Sequence, residues 1–244
     1  MLPPARLWSR PSVLAALLVG AIVAAYAPSL RGDFLWDDDL HVTANPVIVG
    51  PLGLKEIWTT SRANYFPLVL TNFWIQHALW ELNPLGYRIV TLLCHAAAAV
   101  LLWRVLLALL VPGSPRRSAA EAGAWLGAAF WALHPVQVES VAWICELKNT
   151  QSAIFFLAAI LAWLAWLRRS AAGIDGSAAG RRSHLYLLAL GFAVLAILSK
   201  PSTVMLPVAL ALVGWWIHRR FAWRDLFALA PFFALSALAA GWTI

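Results

Sequence analysis

Charge is what this sequence has least of. Only 12% of its 244 residues are charged, 62% are hydrophobic, and the mean hydropathy is +0.75. A soluble domain carries about 25% charged and about half apolar residues, so a water-soluble globular protein is excluded. Cysteine is scarce too: Cys94 and Cys145 are the only two, too few for a disulfide framework. No Gly-rich phosphate loop, zinc-ligand spacing or Gly-x-Ser-x-Gly elbow occurs. The common soluble-enzyme templates are therefore out, and no metal site or resident cofactor is expected. Internal repeats at solenoid periods and low-complexity tracts are also missing. Within the apolar runs ionisable groups are few, chiefly His95 and Arg104. A transporter concentrates such groups or broken helices near the midplane, which ranks that class low.

What the chain does have is a series of apolar runs. About seven cover 12–30, 88–111, 120–134, 150–167, 184–199, 202–217 and 225–244. Several lie at or below the roughly 17 residues a crossing needs. The expected fold class is all-α, a polytopic transmembrane helical protein forming one membrane domain over residues 1–244. Its 15 Trp suit membrane interfaces, where that residue is enriched. A net charge of +7 would suggest nucleic acid in a soluble protein. Here the basic residues form short clusters between apolar runs, the pattern of topology-setting charge, and no nucleic-acid partner is expected. Arg6 and Arg10 precede the first run, and Ala25-Tyr26-Ala27 resembles a signal-peptide cleavage site. Pro28 directly after it favours a retained anchor.

Residues 66–83 decide the topology. They are apolar enough to be taken for a span, yet contain Asn72, Gln76, His77 and Glu81 and end in the turn Asn83-Pro84-Leu85-Gly86. If they crossed, Arg116/Arg117, Arg168/Arg169, Arg181/Arg182 and Arg219/Arg220/Arg224 would all face outward, against the positive-inside rule. As an amphipathic helix in the interface, they leave every one of these clusters on the cytoplasmic side with Arg6 and Arg10. The scattered Arg31, Lys55, Arg62, Arg88, Lys148 and Lys200 then lie outside. So do Asp33, Asp37, Asp38, Asp39, Glu56, Glu81, Glu139 and Glu146, against Glu121, Asp175 and Asp225 inside. Acidic residues barely enter the rule, so their segregation is a partly independent sign that carboxylate chemistry belongs to the outer face.

The outer loop, about 31–87, opens with Gly32-Asp33-Phe34-Leu35-Trp36-Asp37-Asp38-Asp39. Three consecutive carboxylates repel one another, and each would cost about 2.5–3.5 kcal/mol at a bilayer centre. They belong in water, in a polar cavity or on a cation. Two uses fit: a solvated loop start or helix cap, or a general base or metal ligand held at the surface by Phe34, Leu35 and Trp36. Residues 51–60 fit a short interfacial helix. A second outer loop carries His134, Glu139 and Lys148; His134 either ends its helix before Pro135 or binds a ligand. Lys200-Pro201 makes a third outer turn, whose lysine either snorkels or joins Lys148 as charge for a phosphate. His184 and His218 border arginine clusters and are assigned no role.

Carboxylates and lysines on one outer membrane surface suit transfer of a sugar from a lipid phosphate. The acceptor hydroxyl needs a base; the departing phosphate needs positive charge rather than a proton. A single displacement would invert the anomeric centre.

Four segments in order carry a resemblance: Phe34-Leu35-Trp36-Asp37-Asp38-Asp39, Asn64-Tyr65-Phe66-Pro67-Leu68, Ala132-Leu133-His134-Pro135-Val136-Gln137-Val138-Glu139-Ser140-Val141-Ala142-Trp143, and Leu198-Ser199-Lys200-Pro201. Across nearly its whole length the chain resembles the membrane part of the transmembrane and tetratricopeptide repeat-containing proteins, especially their bacterial relatives. These are GT-C glycosyltransferases, and the eukaryotic members are protein O-mannosyltransferases using dolichyl-phosphate mannose. The resemblance implies a GT-C-like fold with interfacial helices in the first outer loop. It also implies a polyprenyl-phosphate sugar as donor, an acceptor hydroxyl carried on protein, and a bacterial inner membrane with the N-terminus cytoplasmic. Asp37 and Asp38 match the acidic pair that supplies the catalytic base, with Asp39 leaving the choice between them open. Lys200 falls where relatives hold the lipid phosphate, and Lys148, His134, Glu139 and Tyr65 join it as substrate-binding residues. One departure stands out: an arginine is expected after Glu146, and this chain has Leu147. Either Lys148 takes over that charge, or donor or activity has changed. The apolar end at Gly241-Trp242-Thr243-Ile244 is expected of an N-terminal portion. The alternative function is a non-catalytic membrane anchor for a tetratricopeptide repeat domain.

Overall fold

Proline and short polar turns punctuate the apolar runs, and helices begin where they stand. A computed structural model describes residues 10–60, 66–171 and 177–243; among these every regular element is helical. Helix α1 (Pro11–Tyr26) opens on Pro11, whose missing N–H costs nothing in a first turn, and continues as a 3-10 turn, Ala27–Arg31. The loop after α1 then forms one π-helical turn, Asp39–Thr43, and α2 (Leu54–Thr59), where the Glu56 carboxylate accepts the Gly53 N–H at 3.0 Å. Both α3 (Pro67–Trp80) and α4 (Pro84–Leu110) start on proline, and the Asn83 side chain caps α4 by accepting the Leu85 N–H at 3.1 Å. There follow α5 (Arg117–Leu133), α6 (Val138–Ala142), α7 (Leu147–Ala171), α8 (Ser177–Ser199), α9 (Leu206–His218), α10 (Trp223–Ala228) and α11 (Ala230–Thr243).

Among the described residues four stretches are long and apolar enough to cross a membrane: Pro11–Arg31, Pro84–Leu110, Leu147–Ser170 and Pro201–His218. The chain is thus an all-α polytopic membrane protein. The other expected runs also fall on helices, though shorter ones: α5 has 17 residues, and Ser183–Ser199 and Ala230–Trp242 are the apolar parts of α8 and α11. The run at 225–244 is not continuous, for α10 ends at Ala228 and is capped by Leu229, whose N–H bonds the Asp225 and Leu226 carbonyls. Helix α3 has 14 residues and spans about 21 Å, short of the roughly 30 Å hydrocarbon core. Its polar residues turn inward: Asn72 Nδ2 donates to Gln151 Oε1 of α7 at 2.8 Å, Gln76 Nε2 to Asn72 Oδ1 at 2.9 Å, and Gln151 Nε2 to Ser199 Oγ of α8 at 3.2 Å. Ile75 and Leu79 face outward instead. Hydrogen bonds thus tie α3 to the bundle where apolar contact alone would let it slide.

Two apolar clusters build the bundle. One joins Leu18 and Ile22 of α1 to Ala96, Ala99 and Trp103 of α4 and to Ala124 and Ala128 of α5. Small residues bring α4 and α5 close; a Cβ on Gly127 would stand 3.1 Å from Leu106 Cδ1. The other centres on Trp163 of α7, with Ala193, Leu210 and Phe232 around it. A third, smaller cluster lies under the loop after α1, where Val42, Val47, Ile57, Phe73, Tyr87, Ile144 and Leu147 meet.

Polar groups sort to opposite ends of these helices. At one end Arg168 donates to the Ala108 carbonyl, and Trp216 Nε1 to the Leu109 carbonyl at 3.2 Å. The C-terminal ends of α4, α7 and α9, with their arginines, therefore lie together. At the other end Arg88 reaches Asp33 and Ala142, Asp38 reaches Cys145, and Lys200 reaches Asn149. This separation follows if 66–83 does not cross. Leu40→Cys, beside the exposed carboxylates, is expected to react with an impermeant maleimide outside intact cells, and Arg117→Cys only after permeabilisation. The reverse pattern contradicts the orientation.

Candidate functional site

Three successive carboxylates meet three different fates. Asp38 is fully buried, and backbone donors use both its oxygens: Oδ1 accepts the Cys145 N–H at 2.7 Å, and Oδ2 the Leu35 N–H at 2.8 Å. Asp39 is exposed and accepts the Thr43 hydroxyl at 2.5 Å. Asp37 is exposed, and no hydrogen bond or ion pair engages its carboxylate among the described residues. Only its carbonyl is used, taking the His41 N–H at 3.2 Å and facing His41 Nδ1 at 2.8 Å. The acidic pair is thereby divided into a structural member and an available one.

Arg88 completes the arrangement. It is buried, its Nη1 donates to the Ala142 carbonyl at 2.6 Å, and its Nη2 donates to the Asp33 carbonyl. Asp38 and Asp33 are the carboxylates acting on it. Gly32 makes room: a Cβ there would stand 2.7 Å from Arg88 Nη2. Around this clasp the loop after α1, α4 and the loop before α7 are held in register. Burial, followed by the neighbouring Asp38 charge, pushes the Cys145 thiol far above its ordinary range, so it stays protonated and unreactive.

A second polar group lies at the start of α7. Lys148 Nζ pairs with Glu146 Oε1 at 2.8 Å. Asn149 Nδ2 donates to Glu146 Oε2 at 2.5 Å and to Ser140 Oγ at 3.0 Å, and its Oδ1 accepts from Lys200 Nζ. Lys148 and Lys200, far apart in sequence, thus share one network. Phe66 links it to the acidic loop: Lys148 Nζ lies 5.9 Å from its ring centroid, and His41 stacks on it at 5.5 Å. His41 Nδ1 faces the Asp37 carbonyl, so that nitrogen acts as the donor.

The remaining predicted residues are less concentrated. His134 serves as a cap: its Nδ1 accepts the Val136 N–H at 3.2 Å, and Phe130 packs edge-on at 5.2 Å. Glu139 is exposed in the first turn of α6. Tyr65 lies outside the described residues. Leu147 is fully buried in the cluster beneath the loop, a core position in this chain. Sequence reasoning missed His41, Arg88 and Asn149 as site residues. For Arg88 a signal existed, a charge at the very start of an apolar run; the π-helical turn that aims His41 has none.

Fold and site together describe a polytopic helical membrane protein with a carboxylate loop and a lysine-bearing network at one end. No family model matches the chain, and no solved structure matches it significantly. Among curated proteins it is similar to human protein O-mannosyl-transferase TMTC4, 28% identical over 178 residues, covering 66% of this chain and 24% of that protein. A protein O-mannosyl-transferase of Caenorhabditis elegans is 27% identical over 158 residues, covering 59% of this chain and 22% of that protein. Mouse protein O-mannosyl-transferase TMTC2 is 28% identical over 164 residues, covering 62% and 19%. The chain spans about a fifth to a quarter of the length of these relatives. At this identity it is related to a group named for glycosyl transfer.

The clasp makes a stability prediction. Asp38→Ala orphans the buried Cys145 N–H and the partly buried Leu35 N–H and is expected to cost about 2 kcal/mol, whereas Asp37→Ala stays within about 0.5 kcal/mol. Thermal unfolding in detergent measures both, and equal shifts would contradict the division of roles.

Proposed function

We propose that this chain is the membrane part of a GT-C-type glycosyltransferase that moves a sugar from a polyprenyl-phosphate donor to an acceptor hydroxyl, carried on protein, at the extracytoplasmic face. The membrane is a bacterial inner membrane crossed about seven times, with the N-terminus cytoplasmic. One observation carries the proposal: Asp38 is consumed by two backbone amides while the adjacent Asp37 stays exposed and unengaged on a loop those amides fix. Asp37 is then the base. Its carboxylate takes the acceptor proton as the acceptor oxygen attacks the anomeric carbon. The bond from that carbon to the phosphate oxygen breaks, the phosphate leaves with the electron pair, and the centre inverts. Lys148 and Lys200 offer positive charge to that phosphate. Both are internally partnered in the free protein, so donor binding exchanges Glu146 and Asn149 for phosphate oxygens. Names of the relatives support the reaction class, and mannose is the sugar they suggest.

That same internal pairing favours a second reading, a non-catalytic anchor for a tetratricopeptide repeat domain, in which the network only braces α7 against α8. The two separate in a transfer assay that follows release of bare polyprenyl phosphate from mannosyl lipid in membranes. Asp37→Asn is expected to lower the rate about 10²–10⁴-fold, the usual contribution of a general base, without loss of folded protein. Unchanged release in Asp37→Asn would remove the catalytic proposal.

A further inference from the structure

Trp36 breaks two local rules at once. The residue is 80% exposed, and its backbone has φ +40°, a conformation that costs little for glycine and much for a bulky residue. The conformation is imposed from outside. Leu35 N–H bonds Asp38 Oδ2 and Asp38 N–H bonds the Leu35 carbonyl, both at 2.8 Å, closing the turn around Trp36. The Asp39 N–H bonds its carbonyl at 3.1 Å. Trp143, from the second outer loop, props the ring edge-to-face with centroids 5.5 Å apart and planes at 79°. Glycine at this position would relieve the strain and hide no apolar surface from water. A strained, exposed tryptophan is kept where fold stability alone argues against it, and such sites are where function is found.

We infer that Trp36, braced by Trp143 and next to Asp37, is a carbohydrate platform that receives a pyranose ring on the exposed indole. This rests on the glycosyl-transfer reading and assigns sugar recognition a residue of its own. Charge selects the ligand. Asp37 and Asp39 both stand exposed within three residues of the ring. Carboxylates repel the phosphate of a lipid headgroup and do not enter hydrocarbon, but they accept hydrogen bonds from sugar hydroxyls. The apolar C–H face of a pyranose matches the indole, whose π-face carries negative charge. A ring seated there has its hydroxyls toward carboxylates and lies beside the base.

The test uses the purified protein in nanodiscs and native mass spectrometry, with polyprenyl-phosphate mannose and bare polyprenyl phosphate of equal chain length as probes. The parent protein is expected to retain the mannosyl lipid about two- to tenfold over the bare lipid. Trp36→Gly, which also relieves the strained turn, should bring the two to parity with an unfolding midpoint equal to or above the parent's. Trp36→Phe should keep part of the preference. The platform is overturned if Trp36→Gly keeps the full preference, or if it loses both lipids alike, as a membrane-anchoring tryptophan would. A parent that binds neither probe, or both equally, overturns the donor reading on which the inference rests, and the inference with it.

Discussion

The Asp38 carboxylate is the constraint on which the carboxylate-bearing end of this protein depends. A buried carboxylate persists only if its oxygens are met by donors or by opposite charge, and here the donors come from two separate loops. The Leu35 N–H closes the turn that presents Trp36 and Asp37, and the Cys145 N–H fastens that turn to the segment leading into α7. Arg88, one turn into α4, adds charge from below and ties the same two loops through the Asp33 and Ala142 carbonyls. A loop at a membrane surface, with few apolar contacts of its own, gains one fixed geometry from these bonds. Such second-layer support is what a site needs in order to hold a reacting group in place.

Below this clasp the helices answer to a different solvent. Apolar surface is no driving force between helices in lipid, and the bundle relies on close packing at Ala-rich faces and a few hydrogen bonds. The ladder from Asn72 through Gln151 to Ser199 fixes α3 against α7 and α8. Tyr26 Oη and His95 Nε2 both meet the Ala132 carbonyl, at 3.1 and 2.9 Å, where the end of α5 leaves a C=O unpaired. The Gln151–Ser199 bond sets the start of α7 against the end of α8, and so brings Lys200 to the network that holds Lys148.

Much of the fold was legible because the bilayer imposes its own grammar. Apolar runs had to be helices, prolines and Asn83 marked their starts, and arginine clusters marked one end. The break at Leu229 was not legible, since nothing in 225–244 departs from an apolar run. Within the site, the carboxylate run announced itself by charge repulsion alone. Which carboxylate is buried was not readable: Asp37, Asp38 and Asp39 are chemically identical, and their fates are decided by Cys145, more than a hundred positions away. His134 looked equally able to cap or to bind, and the Val136 N–H accounts for its Nδ1 as a cap. Leu147, a departure from the related pattern, occupies a core position beneath the loop.

The central claim is that Asp37 is the group the structure leaves free for chemistry. Blocking only that group should trap the donor, so the most direct measurement is the mass of whatever lipid copurifies with Asp37→Asn protein extracted gently from its own membrane. The account predicts a bound polyprenyl-phosphate sugar, whose mass also names the sugar. A folded Asp37→Asn protein carrying only phospholipid would contradict it.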